Sequence, residues 1–550
     1  MKMLALQRLG TRNWVSIGMA GVLGVLAAAS VSSAPARTRI TPYLEIQQVL
    51  SADFNGGDVL TYTGVGGGVN AEIATRRVTA TIAYNYQRRI AWEGGIKDDD
   101  SHNGLAAVHV DVMPGVLGFD AGAMAAQTHA DPRIPVPGLR TVDDPNTAEV
   151  YSAYAGPTLN THVGPLKVGA AYRLGYVYVD DHSLAGGDLP AGAPKVERYS
   201  SSTVHNLTGS VGQDPGEGLP FGWTVGGGYV REDMNRFDSK FEAAYVRGDV
   251  VYPVGPHLAV TAGVGYETGE GSQQDVLRDA GGVPVVGPGG VLQADRSKPR
   301  LLTYDTDGLI WDAGVIWRPS PRTELQARVG RRYGGTTFTG SLEHRINQSY
   351  AFSASVYDNV SSFGRLLVAD VAGVPQGFDL RRSGLGGGIT GVPGCVYGAD
   401  PTTGVCFDDA LQSINNFNFR NRGVSARLSG GRGPWGFGVG AGYNNRRYFA
   451  PPGPTFVLRG VVDQSFSLSA SASRKLTRDS GFDLATYASW FDSGIAGSDS
   501  AFSTGVTGAY YQSIFHDRLQ ATASAGIYST QSGPYDSTVG SILFGLRYSF

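Results

Sequence analysis

The closing stretch of the chain, 538–550 (TVGSILFGLRYSF), permits few folds. Ile542, Phe544, Leu546, Tyr548 and Phe550 take every second position, and Ser541, Leu543, Gly545, Arg547 and Ser549 stand between them. A repeat of two puts one set on one face of an extended strand and the other set on the opposite face. The same repeat returns far upstream. Leu166, Val168, Ala170, Tyr172, Leu174, Tyr176 and Tyr178 alternate with Lys167, Gly169, Ala171, Arg173 and Gly175. Phe466, Leu468, Ala470 and Ala472 alternate with serines at 465, 467, 469, 471 and 473. A soluble sandwich alternates too. Many runs here reach about ten to thirteen residues, whereas soluble strands average about 5–6 and a tilted membrane strand needs about 9–11.

Connections supply a second constraint. Short turns are expected at 75–77, 113–115, 254–256, 320–322, 430–432 and 516–518. Longer polar segments are expected between them, including 93–102, 131–146, 180–202, 269–305, 364–421 and 450–463. Short turns on one side and long loops on the other build a transmembrane barrel. The expected fold is therefore all-β: one antiparallel transmembrane barrel of about 22 strands, within a range of about 18–24, with both chain ends on the short-turn side. Charged residues are only 17% of the chain, glycine numbers 79 of 550 and tyrosine 27. Mean hydropathy is nonetheless −0.12. Walls that alternate between lipid and water give this mixture. The net charge of −3 gives no footprint for nucleic acid.

Residues 1–36 read as an export signal, with Lys2, Arg8 and Arg12 ahead of an apolar core (WVSIGMAGVLGVLAAAS) and small residues near Ala34 and Ala36. The barrel then occupies 37–550, and no substantial segment between the two suggests a separate amino-terminal domain. The location expected is the cell outer membrane of a Gram-negative bacterium, after removal of the signal. The two cysteines, Cys395 and Cys406, share one Gly- and Pro-rich stretch. A disulfide is the preferred reading, since export passes through an oxidising compartment. No third thiol or nearby histidine completes a metal site.

No catalytic pattern emerges, and neither an enzyme activity nor a cofactor is expected. The nine histidines are scattered, and no H-E-x-x-H, G-x-S-x-G or Walker pattern occurs. Asp98–Asp100 reads as a solvated acidic loop. Parity places Glu324, Arg328 and Arg332 opposite Leu325, Ala327 and Val329, with Arg89 and Arg173 likewise off the apolar face. A charge facing lipid at mid-depth costs about 2–4 kcal/mol, so these five are pore-lining candidates. They suit an anionic or polyhydroxylated solute, or they pair with carboxylates and fill a closed barrel. Loops 269–305 and 364–421 are candidates to fold over or into the pore, the second stiffened by the Cys395–Cys406 bridge.

The closing strand resembles the last strand of bacterial outer-membrane barrels, with Gly545, Tyr548 and the terminal Phe550 matching and Leu543 departing from the usual polar residue. The resemblance implies that this strand is the signal read by the barrel-assembly machinery. The stretch RITPYLEIQQVL, followed by GGDVLTYTGVGGGVNAEIATRRVTATIAYNYQRRIAW, is similar to the start of porin-type outer-membrane barrels associated with exopolysaccharide and exosortase systems. That likeness implies a channel or export component linked to surface polysaccharide. Partners would be outer-membrane lipid and lipopolysaccharide, the assembly machinery, and a polysaccharide or small solute. The competing reading is a structural or adhesive barrel with a filled lumen and partner-binding external loops.

Overall fold

The computed structural model describes residues 37–550 apart from 58, 93–98, 130–146, 182–198, 288–291, 379–394, 399–402, 412–413, 452–458, 496, 516–517 and 534. The 1–36 leader lies outside the described residues. The first eleven strands are β1 (Arg37–Asp53), β2 (Val59–Ala74), β3 (Val78–Ala91), β4 (Asp99–Met113), β5 (Leu117–His129), β6 (Thr147–Val163), β7 (Leu166–Asp181), β8 (Ser201–Gln213), β9 (Gly222–Met234), β10 (Ser239–Gly255) and β11 (Leu258–Gln273). A small ladder, β12 (Asp275–Val276) with β13 (Ala294–Asp295), precedes β14 (Leu301–Ser320), β15 (Thr323–Arg332), β16 (Gly335–Arg345) and β17 (Tyr350–Ser361). Helix α1 (Phe363–Ala372), hairpin β18 (Cys395–Tyr397)–β19 (Gly404–Cys406) and the short α2 (Asp408–Leu411) follow. The wall resumes with β20 (Asn418–Arg432), β21 (Trp435–Phe449), β22 (Val462–Lys475), β23 (Ser480–Asp492), β24 (Ala501–Ile514), β25 (Leu519–Ser532) and β26 (Tyr535–Ser549).

All but the two small hairpins join one 22-stranded antiparallel sheet, which β1 and β26 close by pairing from Tyr43↔Ser549 to Asp53↔Val539. Closure removes every free edge, which is the condition for a sheet to stand in lipid. The exterior carries exposed Leu44, Ile46, Val264, Leu309, Phe338, Ile527 and Phe544. Exposed Trp92, Tyr86 and Tyr176 lie toward one rim, and Trp317, Trp435, Tyr252 and Tyr548 toward the other. Such a belt between aromatic girdles is stable only against hydrocarbon. The molecule is a membrane-spanning barrel of the outer-membrane type. Placing an arginine at Val264, 56% exposed at the middle of β11, is expected to cost about 2–4 kcal/mol in urea unfolding from liposomes.

Connections at the lower rim, where Arg37 and Phe550 lie, are all short, from two to eight residues. Those at the upper rim range from two residues at 333–334 to 56 residues at 362–417. Alternation of short and long connections is thus looser than the sequence suggests. The upper connections from β1 to β2, β9 to β10, β15 to β16 and β25 to β26 are only two to five residues long, and positive φ at Tyr333 (54°) and Gly334 (71°) allows the two-residue turn at 333–334. Asp100 is not in a loop. It sits in β4, accepting from Tyr86 and from Arg88 at 3.0 Å.

Candidate functional site: a segment inside the barrel

Between β17 and β20 the chain leaves the wall and enters the barrel. Ser362 caps α1 by accepting from the Arg365 backbone N–H at 3.1 Å, which satisfies a first-turn donor. Phe363, Leu367 and Val371 repeat every four residues and are at most 1% exposed. This stripe packs on inward side chains of β4 to β8, among them Leu105, Met124, Val150, Val177 and Val204. Gly377 donates to Thr81 near the lower end of β3, so the segment descends most of the lumen. Gly175 makes room for it, because a Cβ there would meet Val368 at 2.6 Å.

The segment then touches the opposite wall. The Cys395–Cys406 disulfide joins paired positions of β18 and β19. Tyr397 lies over Gly438, where a Cβ would come within 2.6 Å of its ring, and the Gly404 carbonyl accepts from Arg427. Ile414 rejoins the apolar cluster, and Asn416 donates to the Arg236 carbonyl at 3.1 Å at the upper rim.

A buried polar latch holds the entry of this segment. Glu232, on the inner face of β9, is fully buried and Arg365 is 8% exposed. Their groups meet at 3.1 Å, Ser362 Oγ donates to Glu232, and Arg365 Nη2 donates to Asn418 Oδ1 at 2.7 Å. The guanidinium also lies 3.7 Å from the centre of the Phe241 ring. Burial pulls the Arg365 guanidinium below its ordinary value, against the Glu232 charge. Burial, then that same charge, pushes the Tyr199 hydroxyl well above its own. β9 and β17 stand six places apart in the sheet, about 29 Å around a wall of strands spaced about 4.8 Å. The top of β17 therefore leans across the mouth. Tyr304 on β14 and Phe449 on β21, five places apart, likewise meet with ring centroids 4.7 Å apart. The small β12–β13 ladder lies beside this contact, with Val276 packed among Ala450, Phe237 and Phe417.

All five lumenal candidates are on inward strand positions, and most are paired. Arg328 bonds Asp249 at 2.8 Å and Asp312 at 3.1 Å, and both carboxylates also hold Arg247. Arg332 bonds Glu267 at 2.8 Å, and Glu324 takes Arg318 at 2.9 Å. Arg89 donates to Gln127 at 3.0 Å beside the Tyr62 ring. Arg173 stands 6.0 Å from the Tyr154 ring centre, its buried Nε without a partner. The β10–β15 wall thus carries Arg247, Arg318, Arg328 and Arg332 against Asp249, Glu267, Asp312 and Glu324. Its charges balance, and no bare cationic strip remains there. The inner faces of β22 to β26 instead present Ser469, Thr507, Thr522, Ser524 and Ser541.

At the seam, Gly545 faces inward beside Gln47, and Arg547 bonds Glu45 at 2.6 Å while lying 3.9 Å from the centre of the Tyr43 ring. Tyr548 and Phe550 face outward with ring centroids 5.2 Å apart, and the Phe550 N–H donates to the Pro42 carbonyl at 3.1 Å. Leu543 faces inward and packs on Val49 and Tyr62. Reading the sequence by strand parity misses Glu232, Ser362, Arg365 and Asn418. The apolar spacing at 363, 367 and 371 after a capping serine signals α1, but nothing local joins it to Glu232.

No protein-family model and no curated protein matches the chain. Solved structures with a similar overall shape include the ferric-catecholate import receptor Fiu from E. coli K12 in its closed form. It is 9% identical with a TM-score of 0.44, covering 92% of this chain and 82% of that one. The FrpB iron transporter from Neisseria meningitidis is 11% identical with a TM-score of 0.44, covering 92% and 81%. The alcaligin outer-membrane receptor FauA from Bordetella pertussis is 11% identical with a TM-score of 0.39, covering 92% and 76%. At these values nothing about solute or mechanism carries over to this chain.

Proposed function

We propose that the protein is a gated outer-membrane conduit, exported by its 1–36 leader and closed at rest by its own segment 362–417. The observation that carries this reading is α1 inside the barrel, tied by a buried ion pair to a wall six strands from where its own strand ends. A permanent filler needs no such concentrated polar anchor, since apolar packing alone would hold it. A latch that rearranges needs one, because a buried ion pair is all-or-none. The solute we favour is polyhydroxylated and polar, consistent with a surface polysaccharide. Hydroxyls on β22 to β26 offer hydrogen bonds, and the paired β10–β15 charges leave little net field for selecting ions.

Planar-bilayer conductance of the mature chain, with and without residues 364–416, tests this. The intact chain is expected to be silent and the shortened one to give a steady current. Silence from a shortened chain that still folds as a barrel would favour the structural or adhesive reading.

A further inference from the structure

One seam of the barrel differs from the rest. β16 and β17 pair through six positions, Gly340↔Val356 to Arg345↔Ala351, the fewest of any seam in the sheet. Above them, residues 335–339 of β16 and 357–361 of β17 have no ladder partner across this seam. Yet the register, continued upward, sets Gly335 opposite Ser361, the last upper residue of each strand. The strands are cut to equal length for pairing that only their lower halves make.

Side chains occupy the place of the missing ladder. Arg420 and Arg422 on β20 reach past β17, and each donates to the Thr336 carbonyl at 3.0 Å. Asp358 on β17 holds both guanidinium groups, at 2.7 and 3.2 Å. On the inner side, Thr337 Oγ1 and Asn359 Oδ1 are buried without a hydrogen-bond partner. These two residues would oppose each other if the register continued, close enough for the threonine hydroxyl to donate to the amide oxygen. Orphaned buried oxygens at those two positions mark a second arrangement of the same strands. Phe338 (59% exposed), Val356 and Val424 flank the parted stretch on its hydrocarbon side, where the two arginines bridge it.

We propose that the upper β16–β17 seam is a lateral portal. It admits the hydrocarbon tail of an amphiphile between lumen and outer leaflet, with the anionic head drawn to Arg420 and Arg422. Five further register pairs zip it shut. The latch couples the two openings: pulling the top of β17 toward Glu232 closes the mouth and parts the seam.

Paired cysteines in the full mature chain, reconstituted in vesicles with the native disulfide intact, test the geometry. Ser341→Cys with Ser355→Cys, opposed in the existing ladder, is expected to cross-link on oxidation. Thr337→Cys with Asn359→Cys is expected not to, with linkages read by peptide mass spectrometry. Equal cross-linking of both pairs overturns the proposal.

Tail access is read with a fluorophore on Asn359→Cys in vesicles of acyl-brominated phosphatidylglycerol or phosphatidylcholine. Quenching is expected there and is expected to be absent for the same label on Ser355→Cys, below the split. Loss of quenching at 359 overturns the portal. Equal quenching by the two lipids overturns the part assigned to Arg420 and Arg422.

Discussion

Glu232→Ala is expected to turn a silent barrel into a conducting one. The substitution leaves the Arg365 guanidinium buried against Phe241 with neutral partners alone, Ser362, Asn418 and backbone, and no opposite charge. Removing one partner of a buried ion pair costs about 3–5 kcal/mol. That cost falls on the closed arrangement alone, because an open mouth returns Arg365 to water. A shift of this size raises the open population by about two to four powers of ten. The measurement is open probability in planar bilayers, with urea midpoint as the control. The barrel ladders do not pass through Glu232's side chain, so the midpoint is expected to change little. The double change Glu232→Leu with Arg365→Met separates charge from contact. It removes both buried charges and is expected to restore much of the silence. If it conducts as freely as Glu232→Ala, the hydrogen-bond geometry around Ser362 and Asn418, not the uncompensated charge, sets the gate.

Leu367→Ala is expected to loosen the same segment by a different route. Leu367 is wholly buried, inside the cluster between α1 and the β4–β8 wall. Truncating such a leucine costs about 2–5 kcal/mol through lost transfer energy and the cavity left behind. The wall keeps its own hydrogen bonds, so the loss falls on docking of α1. Brief, flickering openings are expected, without the sustained open state of Glu232→Ala, because the latch at Ser362 still holds the entry. A cysteine at Val177, on the wall beneath the helix, is expected to react with a water-soluble maleimide faster in the Leu367→Ala background. Equal labelling rates in the two backgrounds would mean that α1 stays seated and that its apolar stripe contributes little to closure.

Both predictions concern a site that parity reading locates only in outline. Alternation along 166–178, 465–473 and 538–550 is enough to fix strands, because a wall between lipid and lumen leaves a side chain only two directions. It also places Arg89, Arg173, Glu324, Arg328 and Arg332 inward, since a charge in hydrocarbon costs too much to be placed otherwise. It cannot say whether those arginines are bare. Asp249 and Asp312 lie 79 and 16 residues from Arg328 in sequence, and only the stagger of β10, β14 and β15 brings them to its guanidinium.

The sequence by itself determined the class of fold, the lipid-facing and lumenal sets, and the stretch in which the two cysteines meet. Each is a matter of local periodicity or short spacing. Tertiary structure alone decided that a chain segment enters the lumen, and what holds it there. Glu232 and Arg365 are 133 residues apart, Gly377 and Thr81 are 296 apart, and no local pattern records either contact. Such contacts exist only because closing the sheet into a ring brings distant strands around to face one another. Inside that ring, an apolar inner wall on β4 to β8 would stand in water unless something covered it. The hydrophobic effect seats α1 there, and the buried latch at the rim fixes where its descent begins.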